Sequence, residues 1–216
     1  MYVPSETRVT DPQRLRELMR QHSFGVLVTV RDGCPRASHL PFLVLAGRDH
    51  GRLVAHMARA NDQWQDFRPG AEVLVVFQGE YAYVSPSWYD KQPSVPTWNY
   101  AVVHAHGVPM LIEDPDAVQD YLQALVDRHE SGFETPWRME LSADYLARMM
   151  HAIVAFEIPI NRIEGKFKLS QNRSWPDQQR VADALARSED AGARGTAELM
   201  SALLGLDAAD DRPAAD

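Results

Sequence analysis

Two periods alternate along the chain. Runs of β-branched and aromatic residues cover 24–30 (FGVLVTV), 36–46 (RASHLPFLVLA), 52–57, 72–78 (EVLVVFQ), 81–84, 98–108 and 152–158, and this composition predicts strands. The first two are joined through Arg31, Asp32 and Gly33, where Asp-Gly is a strong hairpin signal. Apolar residues at helical spacing mark the other elements. Leu15, Leu18, Met19 and His22 come after a cap at Thr10 or Asp11, with Pro12 in the first turn. Val118, Tyr121, Leu122, Leu125, Val126 and His129 come after Asp114 and Pro115, a cap and first-position proline. Tyr145, Leu146, Met149 and Met150 come after Ser142 and read as core. Ser174 opens a helix over 175–188, and Thr196 is the expected cap of the last, which carries Leu199, Met200, Leu203 and Leu204. Strands dominate the first half and helices enter between and after them, without a Gly-rich strand-to-helix loop. The pattern predicts an α+β fold: an antiparallel barrel with flanking helices. One domain over 1–206 is expected, with 207–216 a polar, disordered tail.

The densest chemistry lies at 81–107. Between two strands sits SPSWYDKQPSVPT, in which Pro86, Pro93 and Pro96 fix their own φ angles and restrict the residues before them. Such a long connection is expected to be ordered, and long ordered loops are usually functional. Trp88, Tyr89, Trp98 and Tyr100 crowd its ends. Their flat faces and polar tips suit a planar ligand or a subunit interface, although on residue type alone core and edge packing is the simpler account.

Composition narrows the partners. The chain has 216 residues, 45% hydrophobic and 24% charged, with a net charge of −8, which argues against a generic nucleic-acid surface. Positive charge concentrates locally: Arg162, Lys166, Lys168 and Arg173 surround the single acid Glu164. With Phe167 and Leu169 inward, Lys166 and Lys168 share the opposite face of one strand and present a site for an anion. A second anion site is expected where the strand ending at His56 meets Arg59, Asn61 and Gln63, because Asn61 is a helix N-cap and a helix N-terminus offers free N–H groups. His104 and His106 share a strand face, but no further ligand stands at a recognised metal spacing, so no metal site is expected. The one cysteine, Cys34, lies beside the hairpin turn with no local base and reads as an inert thiol. No apolar signal core opens the chain and no run is long enough to span a bilayer, so a cytoplasmic protein without a membrane partner is expected.

Five segments, RASHLPF, HMARANDQW, YVSPSWY, VPTWNYAVVHAHG and RIEGKFKLSQNRS, occur in that order, and together they resemble the PaiB family of FMN-binding negative transcriptional regulators. The resemblance runs from the N-terminal MYVPS to Leu204. It implies a split β-barrel like that of pyridoxamine phosphate oxidases, working as a homodimer with FMN in a groove at the subunit interface. Carried over, it assigns Arg36, Ser38 and His39 to one side of that groove. His56, Arg59, Asn61 and Gln63 would form the turn, and the second subunit would supply Asn99, Tyr100, Lys166 and Lys168. On this basis a flavin-binding transcriptional regulator is expected, any DNA contact having to use a local basic surface; the alternatives are a flavin-dependent oxidoreductase with an indirect regulatory effect and, after it, a haem-binding split-barrel protein.

Overall fold

The computed structural model describes residues 1–47 and 49–206; the expected tail, 207–216, lies outside them. Elements run β1 (Arg8–Val9), α1 (Pro12–Gln21), β2 (Phe24–Arg31), β3 (Cys34–Pro41), β4 (Leu43–Leu45), β5 (Arg52–Ala58), β6 (Val73–Val84), β7 (Thr97–Gly107), β8 (Met110–Leu111), α2 (Pro115–Glu130), α3 (Ala143–His151), β9 (Ile153–Pro159), β10 (Arg162–Lys168), α4 (Trp175–Ala186) and α5 (Ala191–Leu204). They form two compact units. One comprises Met1–Leu18, Gln78–Val103 and, of the described residues, 164–206; the other comprises Met19–Phe77 and His104–Ile163. The long strands β6 and β7 each contribute one half to either unit.

The second unit is built on the β2–β3 hairpin. Asp32 and Gly33 both have positive φ (51° and 78°), the two-residue geometry that matches strand twist, and it fixes the register Arg31↔Cys34, Thr29↔Arg36 and Leu27↔Ser38. β2 also pairs with the first half of β6, and a separate antiparallel sheet has the order β4-β5-β9-β8. The expected single strand over 36–46 is therefore two strands in different sheets. Phe42 lies between them, fully buried and edge-on to Phe77 at 5.6 Å. Phe67 packs on Phe156 at 4.9 Å, and α2 lays Tyr121 onto Leu43 and Val54. Its cap is as expected, with Asp114 accepting from Asp116 N at 3.1 Å.

α3 corrects an expectation. Its apolar stripe reads as core, yet it contributes no buried residue, and Tyr145 and Met149 are each 43% exposed. Leu146 and Met150 instead line an open groove.

The first unit carries the order β1-β10-β7-β6 with α4, α5 and α1 as far as Leu18. Leu15, Phe167, Leu169, Val181, Leu185 and Met200 are among its buried side chains. Gly165 is required on β10: a Cβ there would stand 2.2 Å from Leu15 Cδ2 and 3.0 Å from the Val9 carbonyl. Ser174 caps α4 as expected. Thr196 does not cap the last helix. Asp190 does, accepting from Ala193 N at 3.0 Å, so α5 starts earlier and Thr196 lies buried inside it, its hydroxyl donating to the Gly192 carbonyl. No helix of the described residues is long and apolar enough to cross a membrane.

Candidate functional site

Strand alternation and the tight hairpin put Thr29 and Arg31 of β2 on one face with Arg36 and Ser38 of β3. The segment after β5 closes over that face. Asn61 caps it, accepting from Gln63 N at 3.1 Å, but the capped element is a five-residue 3₁₀ turn, Asp62–Asp66, rather than the expected α-helix. So short a segment has little dipole to offer an anion. Its side chains do the work instead. Gln63, 1% exposed, donates from Nε2 toward Thr29 Oγ1 (3.1 Å), the Arg36 carbonyl (3.2 Å) and the Leu27 carbonyl (3.4 Å), tying the turn to both strands. Asn61 Nδ2 donates to Ser38 Oγ at 2.9 Å.

Two aspartates of the turn meet two arginines of the hairpin. Asp66, its side chain 1% exposed, accepts from Thr29 Oγ1 at 2.7 Å and from Arg31 Nε. Asp62 is half exposed and accepts from Arg31 Nη1 at 2.6 Å and from Arg36 Nη2. These bonds, Arg36's first and then Arg31's, hold the Asp62 carboxyl below its ordinary range, and they raise Arg31 in turn, through Asp62 first and then Asp66. Arg36 Nη1 is buried without a hydrogen bond among the described residues and stands 3.6 Å from Asp66 Oδ2. A guanidinium nitrogen left in this state retains donor capacity for a ligand oxygen.

Three other expected members lie elsewhere. His39 is on the opposite face of β3, stacked against Phe24 with centroids 6.4 Å apart. His56 shares a 3.1 Å hydrogen bond with the Tyr121 hydroxyl beside the Leu43–Val54 core, and burial lowers its pKa while raising that of Tyr121. Arg59 turns away, donating from Nε to the His151 carbonyl (2.7 Å) and from Nη2 to the Ile153 carbonyl (2.8 Å). It lines a groove of about 740 Å³ with Trp64, Ile112, Leu146 and Met150.

In the first unit, β6 and β7 present an aromatic surface. Trp98 packs against Tyr81 at 6.2 Å and Tyr83 at 5.8 Å, and all three are about half exposed. A shallow depression of about 520 Å³ is lined by Gln78, Tyr81, Trp98, Tyr100 and Val102. Lys166 Nζ sits 5.5 Å from the Tyr100 and Tyr2 ring centroids. Lys168 Nζ donates to Thr97 Oγ1 (2.5 Å) and the Trp98 carbonyl (2.7 Å), and burial, then Lys166 and Arg173, lower its pKa. Asn99, next to Tyr100, alternates to the other face. It is fully buried, donating to Ser170 Oγ at 3.0 Å and to Met200 Sδ. The 85–96 connection is held by its own network: Arg180 donates to the Trp88 carbonyl, Asp177 and Asp90, and Arg173 stacks on Tyr89 at 4.0 Å.

Of the expected residues, then, the structure gathers Arg36, Ser38, Asn61 and Gln63 in one place, and Tyr100, Lys166 and Lys168 in another. Sequence reasoning missed Thr29, Arg31, Asp62 and Asp66. A signal was present, since the Asp-Gly turn sets the hairpin register and alternation then puts Thr29 and Arg31 beside Arg36.

Residues 1–162 match a family model described as "Putative FMN-binding domain". The chain is 37% identical over 202 residues, 93% of its own length and 96% of the relative's, to "Protease synthase and sporulation protein PAI 2" of Bacillus subtilis. Among solved structures it resembles the FAD and heme binding protein from Mycobacterium smegmatis (TM-score 0.58, 24% identity, covering 75% of this chain and 73% of that one). It also resembles the flavocytochrome Anf3 from Azotobacter vinelandii (TM-score 0.58, 15% identity, 74% and 69%). The α+β split-barrel expectation agrees with these likenesses and with the antiparallel sheets.

Proposed function

The chain belongs to the PaiB-type family of FMN-binding domains, and on that premise we propose that it binds FMN at the interface of a homodimer and regulates transcription through that state. The arginine pair carries the reading. Arg31 and Arg36 point guanidinium donors at one place beside Ser38, whose hydroxyl accepts from Asn61 and keeps its own proton to donate. With the buried, unbonded Arg36 Nη1, this donor set fits a phosphate monoester. Gln63 and Asp66 act beneath it as positioning residues. A planar ring needs flat, partly apolar walls, and the surface of Tyr81, Trp98 and Tyr100 with Lys166 and Lys168 fits that need when supplied by a second copy. Bound FMN supplies one- and two-electron transfer at its ring system, and the protein's part is orientation and charge.

A second reading, an oxidoreductase whose effect on transcription is indirect, is favoured by one observation. The four cations available for operator DNA are each engaged within the chain. Arg162 meets His106 and Glu72, Lys166 the rings of Tyr2 and Tyr100, Lys168 two oxygens, and Arg173 the ring of Tyr89. Releasing them for phosphates would cost those contacts.

Titration of FMN into the purified protein, followed by flavin fluorescence, tests the reading. Saturable binding is expected, weakened by Arg36→Ala for FMN and far less for riboflavin, which lacks the phosphate. Absence of saturable binding refutes it. NADPH oxidation that depends on added FMN, in a protein without salt-sensitive operator binding, selects the second reading over the first.

A further inference from the structure

The anion subsite of the proposed flavin site is not open: a residue of the same chain fills it. Asp62 is the first residue of the 3₁₀ turn, held in place by the Asn61 cap. Its carboxylate takes Arg31 Nη1 and Arg36 Nη2, and its backbone carbonyl takes Arg31 Nη2 at 2.6 Å. The two aspartates differ in kind. Asp66 is buried and also bonded to Thr29, so it belongs to the framework. Asp62 is half exposed, and among the described residues its side chain accepts only from the two arginines. It is therefore free to rotate into solvent, where water replaces its hydrogen bonds.

We propose that Asp62 is a tethered competitor that occupies the site between Arg31 and Arg36 and is displaced by a phosphate monoester. With both aspartates in place the two guanidinium charges are balanced. With Asp62 swung out, one positive charge is uncovered, and Arg31 Nη1 and Arg36 Nη2 face the vacated position, while Arg31 Nη2 stays on the Asp62 carbonyl and Arg36 Nη1 beside Asp66. A phosphate dianion brings two charges and three acceptor oxygens to those donors, against one charge and two oxygens from the carboxylate. The competition costs affinity, because a site closed nine-tenths of the time binds about tenfold more weakly than an open one. It also selects, because a ligand without a dianionic group gains too little from the arginines to expel Asp62.

The inference rests on the proposed FMN reading, and the test separates the two. FMN, riboflavin and inorganic phosphate are titrated calorimetrically into wild type, Asp62→Asn and Asp32→Asn. The last removes the same charge at the exposed hairpin turn, where among the described residues Asp32 makes no hydrogen bond or ion pair with either arginine, at a positive φ that Asn tolerates. Asp62→Asn is expected to tighten FMN about tenfold relative to Asp32→Asn and to leave riboflavin unchanged. FMN affinity in Asp62→Asn equal to or below that of Asp32→Asn overturns the proposal while leaving FMN binding intact. Phosphate binding that appears only in Asp62→Asn, with no FMN binding in any variant, upholds the tethered competitor and overturns the flavin reading.

Discussion

Asp66→Ala removes the acceptor on which the hairpin-to-turn contact depends. Thr29 is 3% exposed and its hydroxyl donates to Asp66 Oδ2 at 2.7 Å. Gln63 Nε2 approaches the Thr29 oxygen only as a donor, so the hydroxyl proton would be left without a partner. A charge-assisted bond lost inside the fold, with its donor orphaned, costs about 1.5–3 kcal/mol. Arg31 also loses a partner but keeps Asp62 and access to water, so its share is screened and adds little. For a chain of this size that corresponds to a fall in midpoint of roughly 3–12 °C, measurable by thermal unfolding at neutral pH and by urea titration. The double variant Thr29→Val/Asp66→Ala removes the orphaned hydroxyl as well and is expected to recover part of the loss. Asp62→Ala, at an exposed carboxylate, should sit close to wild type. An Asp66→Ala midpoint indistinguishable from that of Asp62→Ala would refute the assignment of Asp66 to the framework.

Individual contacts elsewhere in the chain set three further outcomes. Burial holds the folded-state pKa of His56 below its ordinary 6.5, so unfolding takes up a proton below that value. Stability attributable to His56 is therefore full above about pH 6.5 and declines as the pH falls toward the depressed folded value, and His56→Asn should flatten that part of a midpoint-against-pH curve. Gly107→Ala places a Cβ 2.1 Å from the Pro159 carbonyl oxygen and 2.7 Å from Ile158 Cγ2; because backbone must move, a loss of about 1–3 kcal/mol or more is expected by urea unfolding, and a loss within error would show that β7 has slack there. Trp98, 52% exposed on the aromatic surface, is the proposed centre of the homodimer contact, so Trp98→Asp should lower the sedimenting mass to that of the monomer, whereas an unchanged mass in both proteins would place the interface elsewhere.

How much of the site was legible differs from residue to residue. Arg36 and Ser38, grouped by the motif resemblance, share one face because they stand two residues apart on a strand. The same rule separates His39 from them and Asn99 from Tyr100, yet the motif resemblance grouped all of them by proximity in sequence. Arg59 and Asn61 show the opposite limit. They are two residues apart in an irregular segment, where no period applies, and they point to different partners, Ser38 for Asn61 and the carbonyls of His151 and Ile153 for Arg59.

By itself the sequence determined much of the punctuation, because the causes are local: the Asp-Gly turn, the caps at Asn61, Asp114, Ser142 and Ser174, and the alternation of Lys166 and Lys168 with Phe167 and Leu169; it did not determine that 36–46 divides into two strands or that the separate runs 72–78 and 81–84 form the one strand β6. It misplaced the last helix start: Thr196 was the expected cap, but Asp190 accepts from Ala193 N, and Thr196 is buried inside the helix with its hydroxyl on the Gly192 carbonyl. Tertiary structure alone decided that Asp62 and Asp66, more than 25 residues along the chain from Arg31 and Arg36, neutralise them. It alone decided that the apolar stripe of α3 lines a groove instead of filling a core. Both depend on which distant surfaces meet, and that is set by long-range packing, not by the spacing of residues within a segment.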